Sequence, residues 1–216
     1  MIISRGRRFI FVHIPKTGGT SLALSLEARA MKDDIMMGDT PKAAQRRRKL
    51  RDAKARGRLW KHSTLRDIDG LISPDEIAQM FCFTLVRNPW DRVVSYYHWL
   101  RTQSFAHPSV QMARDNDFDA FLRLEPIQHS LRSTPAAIYM RDANGQERCD
   151  AYIRIEHFAK DAASLEEHLG FEITLGHENR SDRHPDFRSY YTTELAEIVS
   201  DLCARDIARF NYRFDG

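Results

Sequence analysis

The feature that most limits the fold is an apolar run, FIFVHI at residues 9–14, followed directly by the loop PKTGGTS at residues 15–21. A run that is apolar throughout is typical of a strand covered on both faces of a sheet. Pro15 ends the strand because it has no N–H to donate to a ladder. The glycine pair then makes a turn, and the Thr-Ser pair after it offers caps for a helix that we expect to reach about Met31. This order of elements predicts an α/β fold.

A second unit of the same kind begins with FCFTLV at residues 81–86. Asn88 can cap the following helix, Pro89 suits its first position, and we expect the helix to run to about Arg101. A third strand is predicted at residues 152–155, and a last helix begins at Thr192 or Thr193. We find no repeat and no linker, so the pattern predicts a single domain over residues 1–216. We expect a central parallel sheet flanked by helices, with a P-loop-like strand–loop–helix.

Composition and cysteine usage exclude several other classes. With 42% hydrophobic and 29% charged residues in 216, the chain is typical of a soluble globular domain. Three scattered cysteines, without a CxxC pair, predict neither a disulfide framework nor a zinc site. No apolar stretch approaches the ~20 residues that a membrane span requires. The sequence therefore predicts a cytoplasmic protein with no metal and no transmembrane segment.

The first loop has the chemistry of a phosphate site. Glycines let backbone N–H groups converge on an anion, a helix N-terminus adds partial positive charge, and a lysine adds a full one. Threonine and serine hydroxyls donate further hydrogen bonds. The candidate residues are Lys16, Thr17, Gly18, Gly19, Thr20 and Ser21. The alternative is an ordinary turn before a capped helix, and Lys16 favours the phosphate site.

The loop is not a Walker A motif, because Lys16 precedes the glycines instead of following them. The second strand is followed by Arg87, where a kinase would place an acid for Mg²⁺. Arg87 and Ser95 suit a second phosphate. The alternative for Arg87 is an ion pair with Asp91.

Together the two motifs resemble the PAPS-dependent sulfotransferases, in particular the carbohydrate group that includes heparan sulfate 2-O- and chondroitin-type enzymes and short bacterial relatives. The resemblance implies that residues 16–21 bind the 5′-phosphosulfate of 3′-phosphoadenosine 5′-phosphosulfate (PAPS). It also implies that Arg87 and Ser95, within VRNPWDRVVS, hold its 3′-phosphate. The stretch HENRS at residues 177–181 is similar to the family's HxNxS turn and adds Ser181 to the nucleotide site.

The resemblance further implies transfer of a sulfuryl group to an acceptor hydroxyl in a glycan or glycolipid. Lys16 would neutralise the leaving phosphate, and no metal is needed. A base with a pKa near neutrality favours histidine. His62, in WKHST, resembles the family's catalytic histidine, with His98 as a second candidate. His13 is expected to be buried structure.

Two other functions remain open from the residues alone. One is a P-loop-type nucleotide or small-molecule kinase. The other is nucleic-acid binding by residues 42–61, which contain ten basic residues and one acid, Asp52. No recognised nucleic-acid motif accompanies this basic block. Our hypothesis is that it attracts an anionic acceptor, or covers the nucleotide, instead of binding nucleic acid.

Overall fold

A computed structural model describes residues 1–176 and 183–215 of the chain, except for the side chain of Lys49. Its contacts group into two compact units, and each unit is built from two separate chain segments. Unit 1 consists of Met1–Val86 and Ala136–Asn179. Unit 2 consists of Arg87–Pro135 and Arg180–Gly216.

Unit 1 contains a five-stranded sheet in the order β3-β1-β2-β4-β5. Its strands are β1 (Ile2–Ser4), β2 (Phe9–Val12), β3 (Ile35–Met36), β4 (Phe81–Val86) and β5 (Ala151–Arg154). The three strands predicted from the apolar runs pair in parallel, β2 with β4 and β4 with β5. The α/β fold with a central sheet flanked by helices is therefore confirmed.

The sheet is mixed, however, because β1 pairs antiparallel with both β2 and β3. Ser4 lies opposite Phe9, so only residues 5–8 connect β1 to β2. A connection this short makes a hairpin, whereas a parallel crossover needs a dozen residues or more. Arg8, at φ 54°, takes the left-handed backbone conformation in this connection.

Among the described residues, the α-helices are α1 (Gly19–Ala28), α2 (Pro41–Arg46), α3 (Pro74–Ile77), α4 (Pro89–Thr102), α5 (Pro108–Asp115), α6 (Phe118–Arg123), α7 (Glu125–Ser133), α8 (Ala136–Tyr139), α9 (Phe158–Asp161), α10 (Ala163–Leu169), α11 (Thr193–Leu202) and α12 (Ala204–Phe210). Short 3₁₀ turns lie at Arg47–Leu50, Ile155–His157 and Phe187–Tyr190. Helix α1 ends earlier than predicted. Helix α4 matches its prediction, including the Asn88 side chain that accepts from two backbone N–H groups.

The core of unit 1 lies on both faces of the sheet, which explains the continuous apolar runs. On β2, Phe9 and Phe11 pack with α1 residues such as Leu22 and Leu26. The alternate residues of β2 face the opposite layer, whose members are Met1, Ile3, Ile10, Val12, Met37, Leu65, Ile68, Ile72, Ile77, Met80, Cys82 and Met140. Two covered faces hold β2 in place, so the loop that follows it starts from a fixed position.

Unit 2 is a helical assembly around α4. Trp90, Val93 and Val94 of α4 are buried with Leu195 and Val199 of α11. These last two residues lie one turn apart on α11, which begins at Thr193 as predicted. Within residues 1–176 and 183–215, no helix combines the length and the apolar character that crossing a bilayer requires.

Candidate functional site

The first candidate element is the loop between β2 and α1 in unit 1. Gly18 caps α1 without any side-chain hydrogen bond, and the first turn of α1 contains no acidic residue. The N–H groups and the partial positive charge of this helix end are therefore not compensated by the helix's own side chains. This is the arrangement that binds phosphate or sulfate groups.

The backbone of the loop is unusual at two positions. Gly18 has φ 85° and Lys16 has φ 65°, both in the left-handed region. Glycine adopts this conformation without steric cost, but a lysine does not. A Cβ at Gly18 would also lie 2.2 Å from Cδ1 of Ile155. A strained lysine in an anion-binding loop is consistent with a functional role, because such strain concentrates at binding and catalytic sites.

The hydroxyl groups of the loop have different tasks. The Thr17 side chain is buried at 1% exposure, and its hydroxyl donates to the Ile14 carbonyl at 2.9 Å. Thr17 therefore stabilises the loop with its side chain, and only its backbone N–H remains to face an anion. Ser21 is buried at the start of α1, and Thr20 is half-buried.

The second candidate element is the turn at residues 58–63, which holds His62. The buried Ser63 hydroxyl donates to the Arg58 carbonyl at 2.8 Å and accepts from the Trp60 N–H at 2.9 Å. His62 then points back to the first loop, where its Nδ1 lies 2.8 Å from the His13 carbonyl oxygen. The two imidazole rings meet edge to face at 4.7 Å. The structure thus brings His62 to His13, two residues before the predicted phosphate loop.

This hydrogen bond determines which nitrogen of His62 is basic. A carbonyl oxygen only accepts, so Nδ1 carries the proton and Nε2 keeps its lone pair. Burial lowers the pKa of His62 to about 4, from the usual 6.5. The neighbouring Lys61 is paired with Asp39 at 2.7 Å. At neutral pH, His62 is therefore a neutral imidazole that can accept a proton at Nε2.

The third candidate element lies in unit 2, at the start of α4. Arg87 makes an ion pair with Asp91 at 2.6 Å, as one alternative predicted, and Arg183 binds the other oxygen of the same carboxylate at 2.5 Å. Two guanidinium groups therefore share one carboxylate and leave the cluster with net positive charge. Arg183 was missed by the sequence analysis because its partner lies 92 positions away.

The remaining predicted residues have mixed outcomes. Ser95 is 5% exposed on α4, and no partner for its hydroxyl is found within residues 1–176 and 183–215. The His98 ring packs against the rings of Tyr97 and Tyr190 in unit 2. Ser181 lies outside the described residues. The part of the chain that the structure describes contains no group of His, Cys, Asp and Glu residues able to hold a metal ion.

The basic block of residues 42–61 divides into structural and exposed cations. Lys42 donates to the Glu27 carbonyl, and Arg46 donates to the Met31 carbonyl at 2.7 Å. These two residues hold α2 against the last turn of α1 and the chain that follows it. The exposed cations are Arg47, Arg48, Arg51, Lys54, Arg56 and Arg58. Most of the block's charge is therefore available to solvent or to a ligand.

Trp60 completes this surface. Its indole is 40% exposed, lies 5.0 Å from the His62 ring, and has the Arg58 guanidinium over it at 5.0 Å. Trp60 is the one Trp, Tyr or Phe residue of the basic block. Its contact with His62 depends on the turn that Ser63 holds.

Comparison with known proteins identifies the family. A sequence model of the sulfotransferase family matches residues 1–214. Among solved structures, the chain is similar to the mouse sulfotransferase SULT7A1 complexed with PAP, with a TM-score of 0.53, 16% sequence identity, and coverage of 92% of this chain and 83% of the mouse chain. No curated protein sequence matches the chain. At this identity the structural likeness supports the fold alone. Because the family match spans almost the whole sequence and the fold agrees with it, this chain belongs to the sulfotransferase family, and the resemblance to PAPS-dependent sulfotransferases is confirmed.

Proposed function

We propose that this sulfotransferase uses PAPS as its donor, binds the phosphosulfate at the loop before α1, and uses His62 as the base. The observation that carries the proposal is the 2.8 Å hydrogen bond between His62 and the carbonyl of His13. It fixes the base to the strand end from which the anion-binding loop begins. The same bond leaves Nε2 of His62 as the proton acceptor.

Each of the two predicted phosphate contacts has its own supporting observation. In unit 1, the uncompensated N-terminus of α1 and Lys16 favour the 5′-phosphosulfate. In unit 2, Arg87 and Arg183 share Asp91 and favour the dianionic 3′-phosphate. The buried Ser95 hydroxyl would donate one further hydrogen bond, and Ser181 stays a predicted contact.

The chemical step is an in-line displacement at sulfur. His62 Nε2 accepts the proton of the acceptor hydroxyl as the acceptor oxygen forms its bond to sulfur. The bond between sulfur and the bridging phosphate oxygen breaks, and 3′-phosphoadenosine 5′-phosphate (PAP) leaves. Lys16 and the N–H groups of the loop stabilise the negative charge that develops on this leaving group. Positioning supplies most of the remaining effect, as in phosphoryl transfer.

We propose a carbohydrate hydroxyl, on a glycan or glycolipid of negative charge, as the acceptor. The exposed Trp60 indole beside His62 offers an apolar platform on which a sugar ring can pack. Exposed arginines of the same block, such as Arg48 and Arg56, supply positive charge for an anionic chain.

Calorimetric titration with PAP tests the donor site. Wild type is expected to bind PAP and to prefer it to ATP with Mg²⁺, which a kinase would bind instead. A charge-assisted phosphate contact contributes about 1.5–3 kcal/mol, so Lys16→Ala is expected to weaken binding roughly tenfold to a hundredfold. His129→Gln changes an exposed histidine on α7 and serves as the control. If wild type does not bind PAP, the proposed function is wrong.

Turnover of labelled PAPS tests the base. His62→Ala is expected to abolish sulfuryl transfer while its PAP affinity stays within a few-fold of wild type. Substantial turnover by this variant would reject His62, and His98→Ala would then be examined in the same assay.

Acceptor kinetics test the basic block. Arg48→Gln with Arg56→Gln removes two exposed charges, and we expect a raised acceptor KM with a reduced salt dependence and unchanged PAP affinity. Arg205→Gln on α12 removes an exposed charge from unit 2 as the control. Equal KM values for the double variant and wild type would exclude the block from acceptor binding. A steeply salt-dependent affinity of wild type for generic DNA would favour the nucleic-acid hypothesis instead.

A further inference from the structure

The imidazole of His13 occupies a position that the proposed mechanism does not yet use. It is 7% exposed at the end of β2 and stacks on Phe11 at 5.8 Å. Its ring also fills the space beside the first residue of α1. A Cβ added to Gly19 would lie 2.2 Å from Cδ2 and 2.5 Å from Nε2 of this ring. Glycine at position 19 therefore allows the His13 ring to lie directly against the helix N-terminus.

The other side of the same ring meets the base. The His13 and His62 rings are 4.7 Å apart at an interplanar angle of 71°. The carbonyl of His13 accepts the hydrogen bond from Nδ1 of His62. The His13 ring limits how far the His62 imidazole can rotate about this hydrogen bond. His13 thus lies against both the start of α1 and His62.

We infer that His13 is a positioning residue, whose ring sets the direction of His62 Nε2 relative to the N-terminus of α1. The inference rests on the proposed function, since the direction matters only if α1 holds the donor and His62 is the base. It gives the sequence HIPKTGG a second role, because His13, two residues before the anion-binding loop, also orients the base.

The shape of the ring, and not its nitrogens, performs this role. Among the described residues, no hydrogen bond involves a ring nitrogen of His13. Burial also keeps the pKa of His13 well below its usual value, so the ring stays neutral. A neutral His13 ring adds no positive charge beside His62. It therefore does not oppose the protonation of Nε2 when the acceptor hydroxyl gives up its proton.

Two substitutions separate shape from chemistry. His13→Ala removes the ring, and we expect kcat to fall at least about tenfold while the Kd for PAP stays within about threefold, because a small misorientation of a catalytic group is costly. His13→Phe restores an aromatic ring without nitrogens, and we expect it to recover most of the lost kcat. Circular dichroism and the PAP titration verify that each variant is folded.

Nitrogen NMR of the histidine side chains supplies a readout that simple loss of stability would not move. In wild type, His62 is expected to show the Nδ1-protonated tautomer. In His13→Ala the two tautomers should mix, whereas His13→Phe should keep the wild-type signature. In Gly19→Ala, the new methyl pushes the His13 ring from the side of α1 and should disturb the His62 tautomer signal. This substitution provides a second variant if His13→Ala does not fold.

The inference would be overturned if His13→Ala had the same kcat as wild type and an unchanged His62 tautomer signal. Equal losses in His13→Ala and His13→Phe, with weakened PAP binding in both, would also overturn it and assign the ring nitrogens to donor contact. Failure of wild type to bind PAP would instead reject the proposed function, and the NMR result would still report whether the ring orients His62.

Discussion

The low pKa of His62 predicts an unusual pH dependence for the enzyme. Lowering the pH from 7.5 to 5.5 would protonate about nine-tenths of an ordinary histidine with a pKa of 6.5. Burial lowers the pKa of His62 to about 4, so only about 3% of it would be protonated at pH 5.5. We therefore expect kcat/KM at pH 5.5 to stay close to its neutral value, where an ordinary histidine base would lose about tenfold.

The assay is a profile of kcat/KM for PAPS between pH 4.5 and 8, because this ratio reports ionisations in the enzyme before the donor binds. A carbon NMR titration of the His62 ring, assigned with His62→Gln, measures the same pKa directly. His129→Gln is the matched control. Bound PAP adds negative charge to the site and is expected to raise the His62 pKa in the complex.

An acid limb with a midpoint between pH 6 and 7 that coincides with the His62 titration would refute this reasoning. It would mean that the His62 ring is solvated and not held against the His13 carbonyl. An NMR midpoint near 4 with a kinetic limb near 6.5 would show instead that a different group is the base.

Three other properties follow from the same structure. Gly18→Ala should lower the free energy of unfolding by about 1–3 kcal/mol in urea titrations, because φ at this position is 85° and the new methyl would lie 2.2 Å from Ile155. A stability equal to that of wild type would show that the loop relaxes to accept the methyl group. The stability should decrease as the pH falls from about 6.5 towards 4, because the unfolded chain then binds a proton that folded His62 does not, and each unit of pKa difference corresponds to about 1.4 kcal/mol. Urea titrations of His62→Gln should show a shallower pH dependence, and buried His13, whose pKa is also lowered, supplies the slope that remains. Burial raises the pKa of Cys82 to about 12 and that of Cys203 to about 11. Thiol reagents at pH 8 should therefore label these two cysteines far more slowly in the native protein than in the urea-unfolded protein. Fast labelling of either cysteine in the native protein would contradict the described burial.

The parts of the fold that could be predicted are those that depend on neighbours in sequence. The runs at residues 9–14 and 81–86 became β2 and β4, and Asn88 with Pro89 starts α4 as expected. Each of these signals lies within a few residues of the element it defines. The loop before α1 was predicted for the same reason.

The parts that could not be predicted depend on contacts across long separations. Nothing local shows that Ile2–Ser4 is a strand, because its order comes from pairing with β2 and β3. The His62–His13 contact joins residues 49 positions apart, and the Arg183–Asp91 pair joins residues 92 apart. His13 was predicted to be buried, and it is, but its relation to the base appears only when the turn at residues 58–63 is in place.

The division of the chain into four alternating segments constrains how the protein matures during synthesis. Strand β5, Ala151–Arg154, pairs with β4 only after the ribosome has also made residues 87–135, which belong to unit 2. The second segment of unit 2 is made last of all. Neither unit is therefore encoded by one continuous stretch of sequence, and pairing across such separations is slow. Truncation at any of the three internal boundaries is expected to yield aggregating fragments, whereas co-expression of complementary fragments offers a route to a folded product.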